Sequence, residues 1–256
     1  MIRSLLPFLL VLAFTKQACR YASSDKIIYE PSMADKKGFA IVELFTSEGC
    51  SSCPPADGLI SEIARKAAQD SIDIFTISEH VDYWNRIGWV DPFSDPLYSR
   101  RQRWYEAFFK EGSVYTPQVV VNGNSAFVGS DRSHITDAIN RALKNTEPLQ
   151  RISILSNGSG INSYDYKLPE TKDNYTLNFV LVEKHAGSHV TSGENEGREL
   201  SHTNVAREWL SIENPPLKGN IIFKTFEKFD KNKFSVVAFV QNNISKAIVS
   251  AGIFKF

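Results

Sequence analysis

Cys50 and Cys53, separated only by Ser51 and Ser52, are the residues best equipped for chemistry. At the first turn of a helix, side chains three positions apart share a face, close enough for a reversible S–S bond. The helix N-terminus adds partial positive charge, which favours thiolate on the leading cysteine. The expected roles follow: Cys50, the more exposed thiol at the helix start, attacks or is attacked. Cys53, one turn in and more buried, resolves the mixed disulfide. A zinc half-site or a static bridge would show the same spacing, so position along the chain decides how far the redox reading goes.

That position is informative. Residues 39–45 form a nearly continuous apolar run, as in a strand buried on both faces. The cysteines come next. Residues 57–69 then place Leu59, Ile60, Ile63, Ala64 and Ala67 on one helical stripe, with Asp57 in the first turn. Residues 72–77 read as a second strand. Ser94-Asp95-Pro96 starts a second helix that stops near Gly112. Residues 118–121 and 125–128 flank an Asn122-Gly123 hairpin turn, and a last helix carries Ile135, Ala138, Ile139, Ala142 and Leu143 on one face. The order is β-α-β-α-β-β-α over 38–146, ended by Glu147-Pro148. Residues 151–256 read as mainly antiparallel strands of sandwich type, with one helix over 204–210. The fold class is therefore α/β followed by a β-rich domain.

The N-terminus has the pattern of an export signal over residues 1–24. Arg3 precedes an apolar stretch at 5–14, too short to span a bilayer comfortably, and small or polar residues follow. Cys19 is the alternative lipid attachment point, the only route by which a membrane enters the reading. Export implies a periplasmic or extracellular protein. The whole chain balances 29 basic against 29 acidic residues; removing Arg3, Lys16 and Arg20 leaves 26 basic against 29 acidic. That balance gives no electrostatic case for nucleic acid. An exported chain whose two remaining cysteines form C-x-x-C is not a disulfide-stapled scaffold, and so short a loop adds little stability by chain entropy.

The element order, with C-x-x-C at the first strand-to-helix turn, resembles thioredoxin. Tyr115-Thr116-Pro117-Gln118-Val119 resembles the stretch that enters the third strand of thioredoxins, where the proline is cis. The resemblance implies that Pro117 sits against Cys50 and that the Thr116 backbone is free to pair with an extended substrate segment. It also implies a buried carboxylate on the first strand; Glu43 is the candidate, one residue further from Cys50 than an ungapped match would have it. Four blocks go further: residues 42–57, residues 80–93 with His80-Val-Asp82-Tyr-Trp84, residues 114–119, and residues 193–205. Together they are similar to a functionally undefined family of exported bacterial thioredoxin-like proteins. That match implies a thioredoxin-like fold and export but supplies no reaction. C-x-x-C at the helix start with the Thr116-Pro117 element points to an exported thiol–disulfide oxidoreductase acting on a protein or small thiol or disulfide partner, with no cofactor.

Other readings stay open. His80 and Asp82 should rim the cysteine site, where His80 could tune a thiolate, or join Cys50 and Cys53 in holding copper or zinc. A third reading is a non-catalytic binding protein with a static Cys50–Cys53 bridge. His185 and His189 have metal-like spacing but read as part of a surface turn, and Arg100, Arg101 and Arg103 as a solvated helix face. Gly193-Glu-Asn-Glu-Gly197-Arg198 is not a phosphate loop, since no Lys-Ser/Thr follows. Sequons at Asn157, Asn174 and Asn243 matter only in a glycosylating pathway.

Overall fold

A computed structural model describes residues 38–144, 152–156, 163–170, 173–224 and 230–255. Residues 1–24, read from the sequence as an export signal, Cys19, Glu147-Pro148 and Asn157 lie outside the described residues. In chain order the elements are β1 (Ala40–Thr46), α1 (Pro54–Gln69), β2 (Ile74–His80), α2 (Pro96–Phe109), β3 (Gln118–Val121), β4 (Ser125–Val128) and α3 (Arg132–Leu143). Strands β5 (Ser153–Ser156), β6 (Ser163–Lys167), β7 (Tyr175–His189), β8 (Glu199–Glu213), β9 (Lys218–Ile222), β10 (Phe234–Asn242) and β11 (Ile248–Lys255) complete the set.

Eight strands form one sheet in the order β11-β10-β7-β8-β2-β1-β3-β4. β1 and β2 are parallel, joined by the α1 crossover, and β3 runs antiparallel to β1. Every residue of β1 and β2 is buried, as the unbroken apolar run of β1 requires. Ala40, Val42 and Leu44 pack with Ile60 and Ile63 of α1 and Ile135 and Ile139 of α3. On the opposite face Ile41 packs near Tyr98 of α2, and Phe45 with Tyr105. Asp95 caps α2 by accepting the Leu97 N–H at 2.7 Å. The β3–β4 turn has positive φ at Asn122 (47°) and Gly123 (70°), as a tight hairpin demands. A side chain at Gly123 would also strike the Lys246 carbonyl, so glycine is needed there twice over.

The C-terminal half extends the same sheet. A three-stranded sheet, β5-β6-β9, covers β7 and β10 through Tyr164, Tyr166, Phe179 and Val236. The helix expected over 204–210 is instead the middle of β8. Ala206, Arg207, Glu208 and Leu210 favour helix weakly, and antiparallel pairing with β7 outweighs them. The strand's own alternation is broken by a left-handed Asn204 (φ 53°) and by a bulge where Leu181 pairs Glu208 and Val182 pairs Ala206. β8 meets β2 in parallel at Ser78 and Val205. Side chains supplement that short ladder: Ser78 Oγ donates to the Thr203 carbonyl at 2.8 Å and Asn204 Nδ2 to Thr76 Oγ1 at 2.8 Å.

Candidate functional site

The parallel pair β1 and β2 ends on one sheet margin, and the loop after β1 carries the cysteines there. Cys50 and Cys53 are joined by a disulfide with a Cα–Cα distance of 5.4 Å. Cys53 is the residue that opens α1, followed by Pro54, which needs no N–H partner in the first turn. Cys50 Sγ lies 3.9 Å from the Thr116 carbonyl and 3.3 Å from Ser52 Oγ, and the Thr116–Pro117 peptide is cis. Trp84 Nε1 donates to Thr116 Oγ1 at 2.7 Å. Cys50, Cys53, Thr116 and Pro117 are thus brought together. Cys50 is not the exposed thiol that its place at the helix start suggests: both cysteines are 0 % exposed, although Ser51 and Ser52 face solvent.

Glu43 does not join them. Strand side chains alternate, so a carboxylate one position away from a site-facing residue lands on the opposite face. Glu43 is buried under α2, ion-paired with Arg101 and accepting the Tyr105 hydroxyl at 2.7 Å. Arg101 is accordingly no solvated residue: it reaches Glu43, Tyr105 Oη at 2.9 Å and Gln241 Oε1 at 3.1 Å.

His80 does not rim the sulfurs either. It is fully buried, bonding Asp91 Oδ2 through Nδ1 at 2.7 Å and packing T-shaped with His202, ring centroids 4.5 Å apart. Asp82 accepts the Ser99 hydroxyl at the start of α2. Among the described residues no group of three His, Cys, Asp or Glu side chains is placed to hold a metal ion. His185 and His189 stand on β7, not in a turn, and His189 pairs Glu199.

The residues beneath the disulfide are ones that sequence reasoning passed over. Glu48 is completely buried two positions before Cys50. Its Oε1 receives the Ser188 hydroxyl and His202 Nε2 (3.1 Å), and its Oε2 receives Trp89 Nε1 (2.8 Å). Its backbone N–H donates to Asp91 at 2.8 Å. His202 Nδ1 faces Asp57 of α1 at 3.4 Å, so the ring sits between two carboxylates. Burial alone would lower the His202 pKa, but Asp57 and Glu48 outweigh it and the imidazole is pushed up to about 9. Burial opposes ionisation of Glu48 too; bonds from His202, Ser188 and Trp89 prevail, and its pKa falls. Asp91 is likewise lowered against burial, by His80 and by the Glu48 and Phe93 amides. Asp57 and His202 also line a groove of about 420 Å³ between α1 and β8, with Arg65 and Arg198 beside them.

The available signals for these residues were slight: Glu48 and Asp57 lie in the block around the cysteines, and His202 in the block 193–205. Neither spacing nor local pattern connects the two blocks; β8 does so by crossing to β2.

The chain is thus an α/β protein with a C-x-x-C disulfide at a helix start, set on a large, mostly antiparallel sheet with three helices among the described residues. It belongs to the family described as proteins of unknown function (DUF1223), whose model matches residues 41–241. It is similar to the crystal structure of protein AGR_C_4864 from Agrobacterium tumefaciens, with 26 % identity, TM-score 0.66, and coverage of 84 % of this chain and 93 % of that one. HBP35 of Porphyromonas gingivalis shares the fold at 16 % identity and TM-score 0.59, over 86 % of this chain and 76 % of that one. No curated protein matches the chain. Among the described residues no helix is long and apolar enough to cross a membrane.

Proposed function

We propose that the protein is an exported thiol–disulfide oxidoreductase whose residues 38–146 work as a thioredoxin-like unit. The observation that carries this reading is the Cys50–Cys53 disulfide at the start of α1 with the Thr116–Pro117 segment against Cys50. An incoming thiolate attacks Cys50 Sγ, forming a mixed disulfide and expelling Cys53 as thiolate. The α1 N-terminus stabilises that leaving group. A second partner thiol then displaces Cys50, so the partner is oxidised to a disulfide and two electrons and two protons reside on the cysteine pair. The reverse sequence oxidises the pair. Export is supported by the charged and apolar N-terminal segment, with Cys19 as an alternative lipid anchor. Insulin reduction by wild type and Cys50→Ser tests the activity; equal rates remove the catalytic role.

The burial of both sulfurs favours a second reading, a partner-binding protein with a static bridge. A disulfide that resists dithiothreitol at native pH, with no insulin turnover, selects it.

A further inference from the structure

Both sulfurs are buried although Ser51 and Ser52 between them are exposed. The connection between β7 and β8, residues 190–198, comes from the other half of the molecule and docks on this turn. Asn195, itself fully buried, donates from Nδ2 to the Glu48 carbonyl at 2.8 Å and the Cys50 carbonyl at 3.0 Å. Arg198 holds the amide in that orientation by donating to Asn195 Oδ1 at 2.7 Å. Glu194 accepts the Ser51 N–H at 3.0 Å, so the loop grips both the carbonyl and the N–H of the Cys50–Ser51 peptide group. At the tip, Ser192 Oγ donates to the Gly88 carbonyl at 2.7 Å and Gly193 lies against Trp89.

The composition of this segment suits movement. Glu194, Glu196, Gly197 and Arg198 are exposed, and only Asn195 and Val190 bury their side chains there. Its grip on the cysteine turn is made of a few polar bonds rather than apolar packing, the kind of contact that opens locally at low cost. Gly193 (φ 80°) and Gly197 (φ 78°) bracket the gripping residues in the left-handed region. The loop also closes on its own stem, with Gly197 N–H donating to the Val190 carbonyl at 2.8 Å and Val190 N–H to the Arg198 carbonyl at 3.0 Å.

We propose that residues 190–198 are a lid on the Cys50–Cys53 disulfide, latched by the Glu194–Ser51 and Asn195–Cys50 hydrogen bonds, and that its opening controls access of a thiol to Cys50. The inference rests on the redox reading for its purpose, because a static bridge needs no gate. It accounts for a sulfur that is geometrically placed for exchange and yet fully covered.

The test is the rate at which dithiothreitol reduces the native, full-length protein, followed by quenching and alkylation. In that reaction dithiothreitol closes to its cyclic disulfide, and Cys50 and Cys53 each gain a proton and an electron. Glu194→Ala and Asn195→Ala should each speed reduction at least tenfold, and Glu194→Gln, which keeps an acceptor oxygen, should fall between Glu194→Ala and wild type. Rates for both alanine variants within twofold of wild type would overturn the lid, as would an equal acceleration by Glu196→Ala in the same loop. Should Asn195→Ala unfold, Glu194→Ala remains, with faster hydrogen exchange of the Ser51 amide as its second readout; unchanged exchange counts against the latch. Insulin turnover separates the two claims. Faster reduction without any turnover keeps the lid and removes the oxidoreductase; turnover in wild type with unaltered reduction rates does the reverse.

Discussion

The central sheet carries a buried charge cluster on each face, and the two are built from different materials. Under α2, Arg101 joins Glu43 and lies 3.8 Å from Glu79, with Tyr105 and Gln241 completing the bonds. The guanidinium is also enclosed by Trp104, Tyr105, Trp209 and Phe239 at 4.5–5.8 Å. Its charge is permanent, and its neighbours come from α2, β1, β8 and β10, so it ties the two halves together. Beneath the disulfide, by contrast, the cation is His202, whose charge depends on pH. Of its carboxylates, Glu48 is held by Trp89 and Ser188, and Asp57 accepts the Thr46 hydroxyl at 3.3 Å. One cluster is a fixed joint; the other is a titratable support for the turn that carries the Cys50–Cys53 disulfide.

The sharpest way to break this contrast is to remove each cation. Arg101→Met leaves Glu43 and Glu79 buried without their counter-charge, and should cost about 3–5 kcal/mol in urea unfolding. Burial, first, and the Glu43 charge already hold Glu79 well above the ordinary carboxylate range, and losing Arg101 raises it further. His202→Gln should cost less, roughly 2–3 kcal/mol at pH 7, because Glu48 keeps the Trp89 and Ser188 donors. The two variants should also differ in pH dependence. A histidine whose folded pKa is raised to about 9 from 6.5 contributes stability that is complete below pH 6.5 and lost as pH rises through 9. Glu79, also raised, slopes the same way, so the measurement is the difference between wild type and His202→Gln from pH 6.5 to 9.5. That difference should shrink toward zero at the upper end, while the deficit of Arg101→Met should persist. A constant His202→Gln deficit across the range would mean the ring is not charged in the fold.

Much of the site was legible because it is local. Cys50, Cys53 and the helix that starts at Pro54 lie within one short segment, and Pro117 follows from the order of elements that brings β3 beside β1. Glu43 misled because period-two alternation places it on the α2 face, and a single residue of offset is enough to do so. Arg101 looked like a solvated helix residue because its partners are on β1, β2 and β10, far apart in sequence. His202 and the lid were illegible for a related reason. The bulge and left-handed residue in β8 erase the strand's period, so the segment reads as helix and its approach to β2 goes unseen. Glu194 and Asn195 bond backbone groups at 48, 50 and 51, and backbone partners leave no trace in residue type.

A smaller pair of substitutions sharpens the comparison within the disulfide-bearing margin itself. Trp89 and Trp84 both donate an indole N–H there, Trp89 to the Glu48 carboxylate and Trp84 to the neutral Thr116 hydroxyl, at 2.8 and 2.7 Å. Replacing either by Phe removes the same atoms, so the excess of one cost over the other reads the charge of the acceptor. A bond to a charged group is worth about 1.5–3 kcal/mol and a neutral one about 0.5–1.5 kcal/mol. Trp89→Phe should therefore destabilise more than Trp84→Phe by about 1 kcal/mol at pH 7. As pH falls below 4.5 and through the lowered folded value at which Glu48 takes up a proton, the gap should close. A lowered carboxyl pKa contributes stability above its unfolded value of 4.5 and loses it as pH falls through the folded value, so the excess belongs to the ionised form alone. Equal costs at pH 7 would mean that Glu48 draws its stabilisation from His202 and Ser188, and that Trp89 serves the loop rather than the charge.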